Sequence, residues 1–484
     1  MIPTTADAYQ LLHDGSLALA RMEENGFCID MDYLQRTTQE VTSRIKEFER
    51  ELQADKLWRE WRKRFGEKAS LGSDTQLTEL LFNVLKHPYP EGEEWRTNTG
   101  RYRADEETIG AVDLPFTKLW QRCKKQKRLL GTYLNGIARE VVNGRVHASY
   151  NLHTVETMRS SCSDPNVQNQ YKRDPEMMKI LRRCYVASPG CVLVEIDISS
   201  AEVRVAACYN RDPVLIKYIK DPTTDMHRDT AADLFLLPVE FLIEHKDWAK
   251  RTVRDWAKNR FVFPQFYGSV YFQCAPSLWE GVCNPAVKVP GTDLTVKQHL
   301  RAKGIRKLGA CKPAKQGENE PEEGTFEHHV REVERSFWNQ RFKVYTEWKN
   351  RWHEAYLKKG YYDTLTGFRM AGHYKRNEVL NGGIQGDAFH CLLWSIIKSQ
   401  RLFDRRKLKA KPIAEIHDSM ILDVPVEEVQ EVLTLAHKVM TVDLPKAWDW
   451  LIVPMEVECE IAPEGGSWVD VAQWVNKSGT WGPK

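Results

Sequence analysis

Two stretches far apart in the chain run through apolar residues into an aspartate: Val192-Leu193-Val194-Glu195-Ile196-Asp197 and Ile413-Ala414-Glu415-Ile416-His417-Asp418. Short apolar runs rich in β-branched residues read as buried strands, and a strand that ends on a carboxylate presents it at the rim of its sheet. A fold that places both runs in one sheet brings two acidic side chains from remote parts of the sequence together. Two such aspartates can hold two magnesium ions, which stabilise the attacking and leaving oxygens of an in-line phosphoryl displacement. Paired aspartates in a solvated turn are the plainer alternative, and the apolar flanks count against it.

The rest of the composition narrows the class. A chain of 484 residues, 42% hydrophobic, can bury a large core and divides into several subdomains at about 100–200 residues each. No stretch approaches the ~20 apolar residues of a membrane span. Met1 to Asp7 lacks the basic start and apolar core of a signal peptide, so a soluble protein that stays where it is made is expected. Eleven scattered cysteines with no Cys-x-x-Cys pair indicate neither a disulfide framework nor a zinc site. A net charge of +3 says little about a nucleic-acid partner, because phosphate binding depends on where cations cluster.

Along the chain, the pattern predicts a helix from Leu17 to about Leu52 and another from about Phe116 to Val141, able to form an antiparallel pair. The second carries Lys124-Lys125-Gln126-Lys127-Arg128, either a grip on a duplex backbone or a solvated basic face. Trp58 to Arg64 and a polar, loop-like segment from Tyr89 to Gly100 lie between them. Strand 191–196 follows Pro189-Gly190, a helix follows from Ala201, and a long helical region runs from about Asp212 to Tyr271. Arg301, Lys303, Arg306, Lys307, Lys312 and Lys315 then cluster before an acidic stretch from Glu318 to Gly324, which reads as an exposed, mobile insertion. Ile413 to Val424 reads as two strands joined at His417-Asp418-Ser419. Val429 to Met440 has helical spacing, and Met455, Val457, Cys459 and Ile461 alternate with glutamates as on a half-buried strand.

Several motifs in order carry more than any one of them. Asp197-x-Ser199-x-x-Glu202-x-Arg204, Arg254-x-x-x-Lys258 ending in Tyr267-Gly268, and His417-Asp418 resemble motifs A, B and C of family A DNA polymerases, the family of bacterial DNA polymerase I and several phage replicases. Leu19-Ala20-Arg21-Met22-Glu23-x-x-Gly26 is similar to the opening of the family's polymerase region. Arg159-Ser160-Ser161-Cys162-Ser163-Asp164-Pro165-Asn166-Val167-Gln168-Asn169, Thr364-Leu365-Thr366-Gly367-x-Arg369 and Asn381-x-x-Ile384-Gln385-Gly386 also match family segments in the right order. The resemblance spans about Leu17 to Trp468 and leaves no room for a separate exonuclease domain.

The resemblance implies roles. Asp197 and Asp418 become the metal ligands, for two Mg2+ ions or Mn2+ in their place; magnesium keeps several waters and takes few protein carboxylates beside substrate phosphates. Arg254, Lys258 and His227 fall on the triphosphate, with Lys258 also counted among the catalytic groups. Arg254 and Lys258 are one helical turn apart and can point the same way; salt-bridged surface cations are the bland alternative. Glu202 becomes a steric gate that clashes with a ribonucleotide 2′-hydroxyl, where an isolated glutamate would read as surface. Phe263 and Tyr267 fall at the nucleotide. Arg159, Asn381, Gln385 and Arg204 fall on DNA, the first three at minor-groove acceptors that every correct pair offers, and His417 falls beside the primer terminus, or is simply packed in a turn.

The chain departs from the pattern in places. The family usually places seven residues between the motif B lysine and tyrosine, whereas Asn259 to Phe266 makes eight, with Pro264 where glycine is common. A proline inside a helix costs ~3 kcal/mol or more unless relieved, and an extra residue taken up as a wide turn relieves it. The insertion and Pro264 are therefore expected to form one bulge that returns Phe263 to the nucleotide sugar; a straight helix with Val262 on the Lys258 face would contradict this. Ile198 stands where tyrosine is frequent, Ser200-Ala201 where Gln-Ile is frequent, and Ser419 where glutamate is common.

These readings together give an α+β, right-hand fold with an antiparallel-sheet palm and mostly helical thumb and fingers. The expected division is residues 1–145 for the N-terminal segment and thumb, 146–212 and 376–484 for the palm, and 213–375 for the fingers, with an insertion at about 273–326. The expected activity is template-directed extension of a primer with dNTPs, without 3′-to-5′ proofreading. Alternatives are a single-subunit RNA polymerase-like enzyme, a primed-DNA-binding protein with little catalysis, and a two-metal nuclease. A monomer acting on primer-template DNA in the bacterial cytoplasm, encoded by a phage, plasmid or bacterial genome, completes the expectation; a processivity partner is left open.

Overall fold

The computed structural model describes residues 3–88, 97, 103, 105–110, 112–171, 174–311 and 320–484. At its centre is a six-stranded sheet built from β1 (Cys191–Ile198), β2 (Lys411–Ile416), β3 (Ser419–Pro425), β4 (Val457–Ile461), β5 (Ala472–Lys477) and β6 (Thr480–Pro483), in the order β2-β3-β1-β4-β5-β6. Every pairing in it is antiparallel. The fold is α+β.

β1 lies inside the sheet, between β3 and β4. Leu193, Val194, Ile196 and Ile198 are fully buried, while Glu195 and Asp197, which alternate with them toward the rim, are half-buried. Asp197 pairs with Ser419 on β3 and with Glu458 on β4. A one-residue slip would turn every side chain of a strand to the other face, so the buried residues on both flanking strands fix this register. The helix Arg376–Arg406 packs on β2 and β3; its Leu392, Leu393 and Ile396 are fully buried.

Elsewhere the structure corrects two sequence readings. The stretch expected as one helix from Leu17 to Leu52 is two, Thr5–Asn25 and Met31–Ala54, separated by the short strand Phe27–Ile29. Gly26 breaks it: its φ is +59°, and a Cβ there would lie 2.8 Å from the His147 ring. Asp30 then restarts the helix by accepting the Tyr33 N–H at 2.9 Å. The region from 213 to 266 is likewise a chain of short helices, interrupted at Pro222, at Leu236 in the left-handed region and at Thr252.

The basic run at 124–128 sits on the helix Pro115–Arg128. Lys124, Lys125 and Lys127 form ion pairs with Asp74, Asp174 and Glu49, and Arg128 lies over the Tyr171 ring. These cations join helices to one another, which favours the bland reading of the run. In the insertion, the described residues are folded: Lys288 and Thr295 bridge, Val296–Ala302 is helical, Lys307 bridges to Thr325, and His299 Nε2 donates to the Leu236 carbonyl at 3.2 Å. Lys312, Lys315, Glu318 and, apart from Thr97, the segment Tyr89 to Gly100 lie outside the described residues.

Candidate active site

The β2–β3 connection is a tight turn, only His417 and Asp418, at the rim of the sheet. His417 takes a φ of +63°, a conformation rare for residues other than glycine, although histidine is among those that tolerate it. The Asp418 N–H bonds back to the Ile416 carbonyl at 2.9 Å, and the Ile198 N–H donates to the Asp418 carbonyl at 3.0 Å. Main-chain bonds thus tie the turn to the end of β1, with Asp418 one residue from direct pairing with Asp197. Opposite residues in an antiparallel pair have Cα atoms about 4.5–5.5 Å apart, so the two carboxylates start from neighbouring positions.

A cavity of about 340 Å³ opens beside this turn, lined by His417, Asp418, Ser200 to Val203, Arg159, Phe263, Tyr267, Tyr345, Asn381 and Gln385 among others. Asp197, half-buried, does not line it. Across it, the Arg159 guanidinium is paired with Glu202, the Tyr267 hydroxyl donates to the other Glu202 oxygen at 2.5 Å, and Arg159 Nε donates to the Gln385 carbonyl at 3.3 Å. Burial and the Glu202 carboxylate push the Tyr267 phenol up. Gly268, at φ +91°, follows Tyr267 where a Cβ would meet the Asn377 side chain at 2.6 Å.

A second cavity, about 530 Å³, shares Ser200 and Val203 with the first and is lined by His227, Arg254 and Lys258. Arg254 Nε donates to Asp225 at 2.6 Å, and Asp225 caps the helix Met226–Phe235 by accepting the His227 and Arg228 N–H groups. Burial would raise the Asp225 carboxyl, but Arg254 and the capping N–H bonds hold it below its usual range. Burial, then the Arg254 cation, pushes His227 down to about 4. Its Nδ1 is buried and has no hydrogen-bond partner among the described residues. A buried, unsatisfied nitrogen costs ~1–3 kcal/mol, and a phosphate oxygen is a ligand that would satisfy its protonated form.

Between the cavities the expected bulge is present. Lys258–Val262 is a wide turn in which the Phe263 N–H reaches the Lys258 carbonyl, five residues back, and Phe263–Phe266 resumes as α-helix. Pro264 falls in the first turn of the resumed helix, where a missing N–H is harmless. Val262 is fully buried, while Phe263 faces the cavity, 5.4 Å from Lys258 Nζ.

Arg204 does something other than expected. It is 6% exposed, and its guanidinium is bonded to the Ser199 carbonyl at 2.7 Å, the Pro454 carbonyl at 2.6 Å and Glu456 at 2.6 Å. With each of its three nitrogens bonded to the protein, it fixes the turn between Asp197 and Glu202. Two contributors went unread in the sequence. Asp225 was visible only as a residue two positions before His227, with a helix-capping position as its signal, and Tyr345 sits in an aromatic helix face with no distinguishing mark.

Asp197 and Asp418 offer hard oxygen ligands, the kind magnesium takes. Among the described residues no group of three or more His, Cys, Asp or Glu side chains converges to hold an ion; two carboxylates are a donor set that suits an ion keeping waters and substrate oxygens. No described helix is long and apolar enough to cross a membrane.

The family model for DNA polymerase family A matches residues 31–279 and 330–469. The thermostable DNA polymerase I of Thermus thermophilus is 26% identical over 92% of this chain and 46% of its own length, and that of Thermus aquaticus 25% over 95% and 48%. The DNA polymerase I of Rhizobium leguminosarum is 32% identical over 46% of this chain. The chain thus spans about half the length of these full-span relatives. A solved structure, the POL domain of Pol1 from M. smegmatis in complex with DNA primer-template and dNTP, superposes with a TM-score of 0.70 at 21% identity over 95% of this chain and 70% of that one. The gap in the family match, 280–329, covers most of the insertion, while the first matched block contains Asp197 and Lys258 and the second Asp418: the chain belongs to DNA polymerase family A.

Proposed function

We propose that this chain extends a DNA primer with dNTPs on a template by phosphoryl transfer assisted by two divalent ions. The observation that carries this is the bond from the Ile198 N–H to the Asp418 carbonyl, which ties Asp418 to the end of β1 next to Asp197, near the cavity lined by His227, Arg254 and Lys258. The M. smegmatis relative was solved with DNA primer-template and dNTP, which supports the substrate class.

In this reading Asp197 and Asp418 hold the ions, Mg2+ or Mn2+, which when bound acidify the primer hydroxyl and stabilise the charge that develops on the phosphoryl oxygens. Arg254, with Asp225 holding its Nε, offers its terminal N–H groups to the triphosphate. Lys258 adds a point charge one turn away, and His227 takes up a proton when an anion reaches its unsatisfied nitrogen. Glu202, held by Arg159 and Tyr267, occupies the space of a 2′-hydroxyl. Phe263 packs on the sugar and Tyr267 beside the base. Arg159, Asn381 and Gln385 offer donors to the minor groove, and His417 neighbours the primer end. Residues 1–145 then act as N-terminal segment and thumb, 213–375 as fingers, and the two flanking segments as palm.

Primer extension by the wild type and by Asp418→Ala tests this. Loss of a ligand that stabilises the transition state by several kcal/mol lowers the rate by roughly 10³-fold or more. A wild-type chain that adds no dNTP to a primed template in Mg2+, or an Asp418→Ala variant that extends as fast, would overturn the reading. Offering rNTPs in parallel separates it from an RNA polymerase-like enzyme.

A further inference from the structure

Ser419 stands where a glutamate is common in motif C, next to Asp418. Its hydroxyl donates to Glu195 Oε1 at 3.1 Å, and the other Glu195 oxygen accepts the Trp468 indole N–H at 2.8 Å. Glu195 lies two residues before Asp197 on β1, so both point to one face of the sheet. Ser419 is the residue paired with Asp197 across β1 and β3. A carboxylate absent from position 419 therefore reaches the same corner from the neighbouring strand.

The Glu195 side chain is held rather than loose. Trp468 is fully buried, with Tyr185 and Phe27 rings at 5.7 and 5.9 Å and the Arg182 guanidinium 4.2 Å over its face. Two donors from two different elements thus fix both oxygens of one half-buried carboxylate. On β4, Glu460 pairs with Glu195; burial, and then the Glu195 charge, raises the Glu460 carboxyl. Both Glu195 oxygens already accept a protein hydrogen bond, which suits an outer role better than direct ligation.

We propose that Glu195 is a positioning residue of the metal site, supplying from β1 the acidic group that Ser419 lacks and accepting hydrogen bonds from the waters of a divalent ion on Asp197 and Asp418. Magnesium gives up its waters reluctantly, so an acceptor aimed at them orients the ion without touching it. Removing such a partner typically costs 10–100-fold in metal affinity. The inference rests on the metal-dependent reading above.

The test is calorimetric titration of Mn2+ into the full chain bound to a 3′-dideoxy-terminated primer-template and the matching dNTP. Glu195→Gln keeps an acceptor for Trp468 and removes the charge. It is expected to weaken Mn2+ binding about tenfold, to raise the Mg2+ concentration for half-maximal extension in parallel, and to leave primer-template affinity unchanged. Adding Ser419→Glu to Glu195→Gln should restore Mn2+ affinity to within about threefold of wild type. Should Glu195→Gln not fold, Ser419→Ala, which loosens the same carboxylate, should weaken Mn2+ binding by about threefold. Unchanged Mn2+ affinity with a lowered melting temperature would mean a purely structural role and overturn the inference while leaving the polymerase reading intact. Absence of Mn2+ binding and of extension by the wild type would overturn both.

Discussion

The side of the cleft that carries Asp197 and Asp418 is a sheet locked residue by residue, whereas the side that carries His227, Arg254 and Lys258 is a succession of short helices joined by irregular turns. On the sheet, position is set by a register that cannot slip without exposing Ile196 and Ile198. On the helical side, position is set by individual polar contacts, Arg254 to Asp225 above all, and by one wide turn. A sheet suits ligands that must not move relative to each other, and jointed helices suit groups that close on an incoming substrate, since hinges fall at element ends.

Asp197→Ala tests the rigid side most severely. It should lower extension by roughly 10³-fold or more while primer-template affinity stays within about twofold; loss of DNA binding in step with activity would mean that the carboxylate serves the fold. On the helical side, Lys258→Ala should lower kcat/KM for dNTP by about 10²-fold, as expected for one charged hydrogen bond of ~1.5–3 kcal/mol, with the metal dependence unchanged. An equal change in metal dependence would erase the distinction between the two sides.

The wide turn offers a sharper probe. Deleting Asn259 while keeping Pro264 returns the proline to a regular helix interior and should destabilise the chain by about 3 kcal/mol, read by denaturant unfolding. Deleting Asn259 together with Pro264→Gly should recover most of that loss and much of the extension activity. Equal instability of both deletions would show that the extra residue and the proline are unrelated.

The smallest expected effect comes from the sheet side. Glu415, fully buried on β2, is pushed up to about 7 by burial, opposed by Ser160 and Gln168, which donate to its Oε2 at 2.6 and 2.9 Å. The folded chain therefore holds a proton here that the unfolded chain releases above about pH 4.5. The associated stability is present at low pH and lost as pH rises through about 7. Glu415→Gln, neutral at every pH, should retain roughly 2–3 kcal/mol that the wild type loses between pH 5 and pH 8. Unfolding curves at both pH values check it, and parallel pH dependence of the two proteins would refute the assignment.

What the sequence disclosed follows the same division. β1, β2 and β3 announce themselves because apolar runs flanked by turn residues have few other uses, so both aspartates were readable in place. The extra residue before Tyr267 was readable because proline chemistry made a straight helix costly. Arg204 was not, because its partners Pro454 and Glu456 lie some 250 residues on and no local pattern announces them. The ion pairs of Lys124, Lys125 and Lys127 are equally non-local. The break at Gly26 was missed although Asn25-Gly26, with Asp30 beyond, is a helix stop followed by a helix start; apolar spacing on both sides hid it.

The turn at Lys258–Val262 has a further consequence for how such chains are compared. It inserts one residue in the middle of a helix while returning the downstream side chains to their former phase. Any comparison that forbids gaps inside helices will be one place out across this stretch and will equate Val262, which is buried, with a residue that faces the cavity. Counted from Tyr267 backwards, Phe263 occupies that place; counted from Lys258 forwards, it does not. Identity of position here belongs to the direction a side chain faces, and only the backbone bond from Phe263 to Lys258 reveals which count to keep.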